Sequence, residues 1–313
     1  MKPEVLVVRS IYAPALAALE RDFTLHKLWT VPDPDAYVRR ACGDVRAAVT
    51  TTTSGFSRRD FGMLPRIEIL ACYGPYYDLI DLAAANERGV AVTCTPDSTA
   101  EPVADLAMGM IVAVMRRLCE ADRFVRAGRW PDSVFDSGRE VCGKTCGIVG
   151  LGRIGREIAR RAAAFDMKVC YHGPRAKDGV ALPYFADLEG MARCSDVLVV
   201  TCPLSPQTRD LVDRRVLAAL GPEGFLVNVA RGAIVNEEAL VDALRSGGIA
   251  GAALDVFRDE PRVPAALTRM ENVVLAPHIG TSTREIRDER MRKLLADLRA
   301  HFAGQPLLHA VTA

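Results

Sequence analysis

Three polar residues stand just past apolar, strand-like runs: Arg231 in Asn228-Val229-Ala230-Arg231-Gly232, Glu260 in Asp255-Val256-Phe257-Arg258-Asp259-Glu260-Pro261, and His278 in Ala276-Pro277-His278-Ile279-Gly280. A guanidinium can clamp a carboxylate and polarise the carbonyl beside it, and an imidazole can give a proton to the oxygen that becomes a hydroxyl. A carboxylate bonded to that imidazole raises its pKa and fixes its tautomer, and Glu260 is the candidate. Singly, each has an ordinary reading: a surface ion pair, a loop acid, a helix cap. Together they fall at strand ends of one half of the chain, the edge where open α/β sheets bind ligands.

That half also carries Gly147-Ile148-Val149-Gly150-Leu151-Gly152-Arg153-Ile154-Gly155, a G-x-G-x-x-G that follows an apolar strand and opens a helix over Arg153–Phe165. Gly150 allows the tight turn, Gly152 lets a pyrophosphate approach the backbone, and Gly155 lets helix pack against strand. The free N–H groups and positive end of the helix then receive the anion. As a bare pattern the glycines are weak, because turns and methyltransferase loops also use them; the flanking strands supply the context of a dinucleotide site. An NAD site places an acid at the tip of the next strand, but here the tip reads Tyr171-His172-Gly173-Pro174-Arg175-Ala176-Lys177-Asp178. Arg175, with Lys177 nearby, suits a 2′-phosphate, which favours NADP(H). Asp178 leaves NAD(H) open, and a solvated basic loop is the bland alternative.

The elements that position these groups alternate along the chain. Strands are predicted near 5–8, 47–49, 67–71, 90–93, 146–149, 168–171, 197–201, 225–229, 250–254 and 273–275, with helical patterns between them. Continuous apolar strands between helices mean parallel sheets covered on both faces. Ten strands are many for one open twisted sheet, so two sheets are expected. The seam falls at Thr95-Pro96-Asp97-Ser98-Thr99-Ala100-Glu101, ahead of a helix predicted from Pro102 that is apolar nearly all round. Such a helix packs into a core or between domains or subunits.

Composition narrows the function classes. The 313 residues are half hydrophobic and a quarter charged, ordinary globular usage in a chain of two-domain length. Forty Lys and Arg against 39 Asp and Glu leave a formal charge of +1, so no global field recruits nucleic acid or an anionic membrane. The nine cysteines are scattered and odd in number, which fits a reduced, cytoplasmic setting. Cys142 and Cys146 have no second ligand pair, so no metal is expected. The opening residues lack the features of a signal peptide, and the longest helical apolar run is half a membrane span.

The stretches 150–155, 228–241 (NVARGAIVNEEALV), 254–261 (LDVFRDEP) and 272–281 (NVVLAPHIGT) resemble the NAD(P)-dependent D-2-hydroxyacid dehydrogenase family. Within it, 86–130 and 172–177 look most like the glyoxylate/hydroxypyruvate and hydroxyphenylpyruvate reductases. The resemblance implies two Rossmann-like, doubly wound parallel-sheet domains with a cleft between them. Residues 1–99 and 282–313 would form the substrate domain, and 100–281 the dinucleotide-binding domain. It implies Arg231 as substrate clamp, Glu260 as partner of the histidine and His278 as proton donor in the reduction of a 2-oxoacid. It sets Asp255 beside the nicotinamide and Ala230 and Gly280 along the cofactor, with Val229, Cys202, Pro203 and Thr208 on the same side. Leu151, Arg153 and Ile154 would join the glycines in the phosphate turn, and His172, Gly173 and Pro174 would join Arg175 and Lys177. The apolar helix and Gly128–Phe135 resemble the family's dimer arm, so a homodimer is implied.

One loop departs from the pattern. Where family members read something like S-x-G-V-G-x-D, this chain reads Ala71-Cys72-Tyr73-Gly74-Pro75-Tyr76-Tyr77-Asp78. Pro75 deletes an N–H from the expected carboxylate cradle, and Tyr76 puts a ring where glycine leaves room. Tyr73, Gly74, Pro75 and Tyr76 are therefore candidate substrate contacts, with hinge packing as the alternative. Three readings follow: a 2-oxoacid reductase, a dehydrogenase of an unusual acid or oxyanion, or a non-catalytic dinucleotide-sensing scaffold.

Overall fold

The computed structural model describes residues 2–96 and 100–311, so Asp97, Ser98 and Thr99 of the predicted seam lie outside the described residues. The chain divides into two compact units, 1–98 with 283–313, and 99–282.

The first unit runs β1 (Glu4–Val7), α1 (Ala13–Asp22), β2 (Thr24–Lys27), α2 (Pro34–Ala41), β3 (Ala47–Thr51), α3 (Arg58–Met63), β4 (Ile69–Tyr73), α4 (Leu82–Glu87) and β5 (Ala91–Cys94). The five strands form one parallel sheet in the order β2-β1-β3-β4-β5. Along β4 the side chains alternate between two buried layers: Leu70 and Cys72 enter one, Ile69, Ala71 and Tyr73 the other. The second layer is closed by α1 and by the last helix of the chain, α11 (Arg284–Phe302), which contributes Leu294, Leu295 and Leu298. Beyond α11 the tail turns back along β5. The Cys94 N–H donates to His309 O, the Val311 N–H donates to Val92 O, and Thr93 and Ala310 form an antiparallel bridge. Asp297, fully buried on α11, holds this tail by accepting from the Leu308 and His309 N–H groups and pairing with His309 Nδ1 at 2.9 Å.

The second unit opens with α5 (Ala100–Met115) and α6 (Leu118–Arg126) and continues β6 (Thr145–Val149), α7 (Arg153–Ala164), β7 (Lys168–His172), β8 (Tyr184–Phe185), α8 (Leu188–Arg193), β9 (Val197–Val200), α9 (Arg214–Leu220), β10 (Phe225–Asn228), α10 (Glu237–Ser246), β11 (Gly251–Leu254) and β12 (Val273–Leu275). Its parallel sheet has the order β12-β11-β10-β9-β6-β7-β8, with the crossover between β6 and β9. β9 explains why a continuous apolar run is needed: Leu198 and Val200 pack with α8, α9 and α10, while Val197 and Val199 pack with α5 and α7. Each such side chain removed from water contributes about 1.5–3 kcal/mol.

Two boundaries differ from the sequence expectation. Among the described residues the sheets hold twelve strands, because β2 and β8 are additional edge strands. The helix expected from Pro102 already starts at Ala100, with Pro102 in its first turn where a missing N–H is harmless. Its apolar face is used inside its own unit, where Val103, Ala107, Met108, Ile111, Val114 and Met115 are core.

Candidate active site

The glycine turn is built as its spacing requires. Gly150 sits at φ +101°, and a Cβ there would meet the Cys202 backbone at 2.7 Å. A Cβ on Gly155 would stand 2.3 Å from Gly150 O. Gly152, by contrast, faces open space and caps α7 with no side-chain hydrogen bond, and the first turn of α7 holds no acidic residue. An uncapped helix start beside an open glycine is what a pyrophosphate needs, so the residues fit a dinucleotide. Leu151 is buried and Ile154 packs against the same core.

The strand-tip segment is tied down by its neighbours. The Gly150 N–H donates to His172 O, His172 Nδ1 lies 3.0 Å from Phe185 O, and Tyr184 donates to Gly173 O. The Lys177 N–H donates to the Tyr171 hydroxyl. Pro174, Arg175 and Lys177 are exposed, and no ion pair among the described residues engages Arg175. The Thr208 hydroxyl accepts from the Ser205 N–H and donates to Pro203 O, closing the turn after β9.

At the ends of β10, β11 and β12 the three chemistry-bearing residues are held within the same unit. His278 Nδ1 lies 2.6 Å from Glu260 Oε2, and Glu260 Oε1 accepts from the Phe257 N–H. Burial pushes the Glu260 carboxyl up. The bond and charge of His278, the Phe257 N–H and the Arg231 guanidinium outweigh that and hold it below its ordinary value. Arg231 follows β10, and its Nη1 donates to Ala230 O. Gly232 brings the next loop close: a Cβ there would stand 1.9 Å from the Phe257 carbonyl carbon.

His278 itself is left-handed, at φ +55°. Its N–H donates to Asp255 O, and the Asp255 carboxylate accepts from the Ile279 and Gly280 N–H groups at 2.7 and 2.8 Å. Asp255 is 1 % exposed; burial raises its pKa, the two N–H bonds and the His278 charge oppose that, and the Glu260 charge adds to it. Val229, Ala230, Cys202 and Gly280 are buried around these ends. Asn228, at the tip of β10, bonds to the Ala230 N–H and to Arg231 O; the sequence shows its place at a strand tip but not these bonds.

The loop 73–76 belongs to the first unit. The Gly74 N–H donates to Cys72 O, the Thr95 N–H donates to Gly74 O, and a Cβ on Gly74 would stand 2.0 Å from Thr52 Oγ1. Of the loop's tyrosines, Tyr73 packs in the core and its hydroxyl donates to Arg287 O at 3.0 Å. Burial pushes that hydroxyl up to about 12. Its ring serves packing, whereas Tyr76 and Tyr77 are each 38 % exposed.

Among the described residues no group of three His, Cys, Asp or Glu is placed to hold a metal ion, and no helix is long and apolar enough to cross a membrane. The nine cysteines are free thiols.

Residues 108–280 match the family model described as D-isomer specific 2-hydroxyacid dehydrogenase, NAD binding domain. A glyoxylate/hydroxypyruvate reductase A of Arabidopsis thaliana is 44% identical over 293 residues, and a hydroxyphenylpyruvate reductase of Plectranthus scutellarioides is 42% identical over 293 residues; each match covers 94% of both chains. Among solved structures, an NADPH-dependent glyoxylate/hydroxypyruvate reductase of Sinorhizobium meliloti, in complex with NADP and malonate, superposes with a TM-score of 0.86 at 37% identity. That superposition covers 100% of this chain and 97% of the other.

Proposed function

The chain belongs to the D-isomer specific 2-hydroxyacid dehydrogenases, and from that membership we propose that it reduces a 2-oxoacid to the D-2-hydroxyacid, with NADPH as preferred reductant and NADH as a possible one. The observation that carries the reading is the 2.6 Å pair of His278 and Glu260, with the Arg231 charge acting on the same carboxylate.

When bound, the dinucleotide supplies a hydride to the carbonyl carbon of the substrate. Its pyrophosphate is held by the backbone at Leu151–Ile154, and Arg175 with Lys177 receives the 2′-phosphate. Arg231 pairs with the substrate carboxylate and draws electron density from the adjacent carbonyl oxygen. Glu260 engages Nδ1, so His278 offers Nε2, and the proton passes from there to the carbonyl oxygen as it becomes a hydroxyl. The ionised Glu260 keeps the imidazole in that orientation and balances its charge before transfer.

The substrate class proposed is glyoxylate and hydroxypyruvate or an arylpyruvate. Gly74, Pro75 and Tyr76 are assigned to the carboxylate and side chain, and the exposed Tyr76 is the observation that favours a remodelled pocket. Assembly is proposed as a homodimer through the segment after α6. There Trp130 and Val134 are 67 % and 94 % exposed, while Phe135 folds back on Phe124 at 5.3 Å. The free thiols suit a reducing cytoplasm. A screen of 2-oxoacids against NADPH and NADH tests the reading: turnover with a 2-oxoacid supports it, and dinucleotide binding without turnover of any would favour the sensing scaffold.

A further inference from the structure

We propose that Asn228 is a positioning residue for Arg231, holding the main chain from which the guanidinium projects. The inference rests on Arg231 acting as the carboxylate clamp. Asn228 ends β10 and is 1 % exposed, deep enough that its amide needs partners within the protein. It has two, both on the next three residues. Oδ1 accepts from the Ala230 N–H at 3.1 Å, and Nδ2 donates to Arg231 O at 3.0 Å, which also receives the Ile234 N–H. Those partners fix which way the amide faces, since a peptide N–H can only donate and a carbonyl can only accept.

The Asn228 side chain therefore closes a turn that lifts the chain out of the sheet at Val229 and sets the direction of Arg231. The arginine adds a second brace by donating from Nη1 to Ala230 O. The main chain of Asn228 extends the same brace sideways: its carbonyl receives the Asp255 N–H, and Asp255 O receives the His278 N–H. The segments bearing Arg231 and His278 are thus joined by an unbroken series of bonds through Asn228 and Asp255. No shorter residue spans both Ala230 N and Arg231 O, and an aspartate in the same place keeps the first bond but sets oxygen against oxygen at the second.

The test uses the full chain with saturating NADPH and varied glyoxylate. Asn228→Asp, which keeps the side-chain volume, and Asn228→Ala should each lower kcat/KM by about tenfold or more, with most of the change in KM, while thermal melting confirms folded protein. Because the residue acts through the arginine, Asn228→Ala introduced into Arg231→Ala should lower the remaining activity by less than about twofold. The full penalty persisting in the Arg231→Ala background would overturn the proposal, as would wild-type kcat/KM in Asn228→Asp and Asn228→Ala. If instead Arg231→Ala alone kept wild-type kcat/KM, the clamp reading itself would fail.

Discussion

His278 is left-handed, and its turn closes on Asp255: its own N–H reaches the Asp255 carbonyl, and the next two amides reach the Asp255 carboxylate. A non-glycine residue adopts that backbone only where its surroundings over-determine it. Asp255→Asn keeps one acceptor but turns an NH2 toward an N–H. Stability in urea should fall by about 1–3 kcal/mol, and kcat should fall with it because the imidazole loses its mount. Unchanged values for both would show that the turn holds without the carboxylate.

Removing the imidazole tests the acid directly. His278→Ala should lower kcat by about 10²–10⁴ while the Kd for NADPH, read by fluorescence titration, stays near wild type. Glu260→Gln replaces the carboxylate that engages Nδ1 with a neutral amide, so kcat for reduction should fall while the Kd for NADPH stays near wild type.

The same carboxylate predicts a stability window. Since its folded pKa lies below its ordinary value, Glu260 contributes stability above the unfolded value of about 4.3 and loses it as pH falls through the lower folded value. Denaturation curves of wild type and Glu260→Gln should therefore differ most near neutral pH and converge in acid. A constant gap across that range would refute the linkage.

Cofactor choice turns on Arg175. Arg175→Asp should reduce the preference for NADPH over NADH by at least about tenfold, the loss expected for a charge-assisted contact of about 1.5–3 kcal/mol. Selectivity that does not change would remove the residue from the 2′-phosphate site.

Substrate size should depend on Tyr76. If its ring limits space, Tyr76→Gly should gain activity on phenylpyruvate relative to glyoxylate. A selective loss on phenylpyruvate would instead identify the ring as a binding platform for arylpyruvates.

What could be read from the sequence follows burial. β9 and β10 were legible because both faces are covered, so every residue of VLVV and FLV had to be apolar. β2, reading Thr24-Leu25-His26-Lys27, was not: it lies at a sheet edge, is at most half-buried, and carries polar residues that periodicity assigns to a loop. β8 is two residues long and gives no period at all. At the site, Glu260 and His278 are 18 positions apart in sequence and lie 2.6 Å apart in the structure; their residue types and their places past strand ends are what made the pair legible. The brace by Asn228 and the inward turn of Tyr73 were hidden, because both depend on side-chain direction at a strand end, where alternation stops.

The discontinuity of the first unit also has a consequence for synthesis. Residues 99–282 are complete in the growing chain before α11 has been made, yet Leu294, Leu295 and Leu298 of that helix fill one layer of the first unit's core. The inserted unit can therefore reach its fold during translation, whereas the unit that β1 begins must wait, with one face of its sheet covered by α1 alone, until α11 has left the ribosome. Of the two units, the one whose strands are made first is the one completed second.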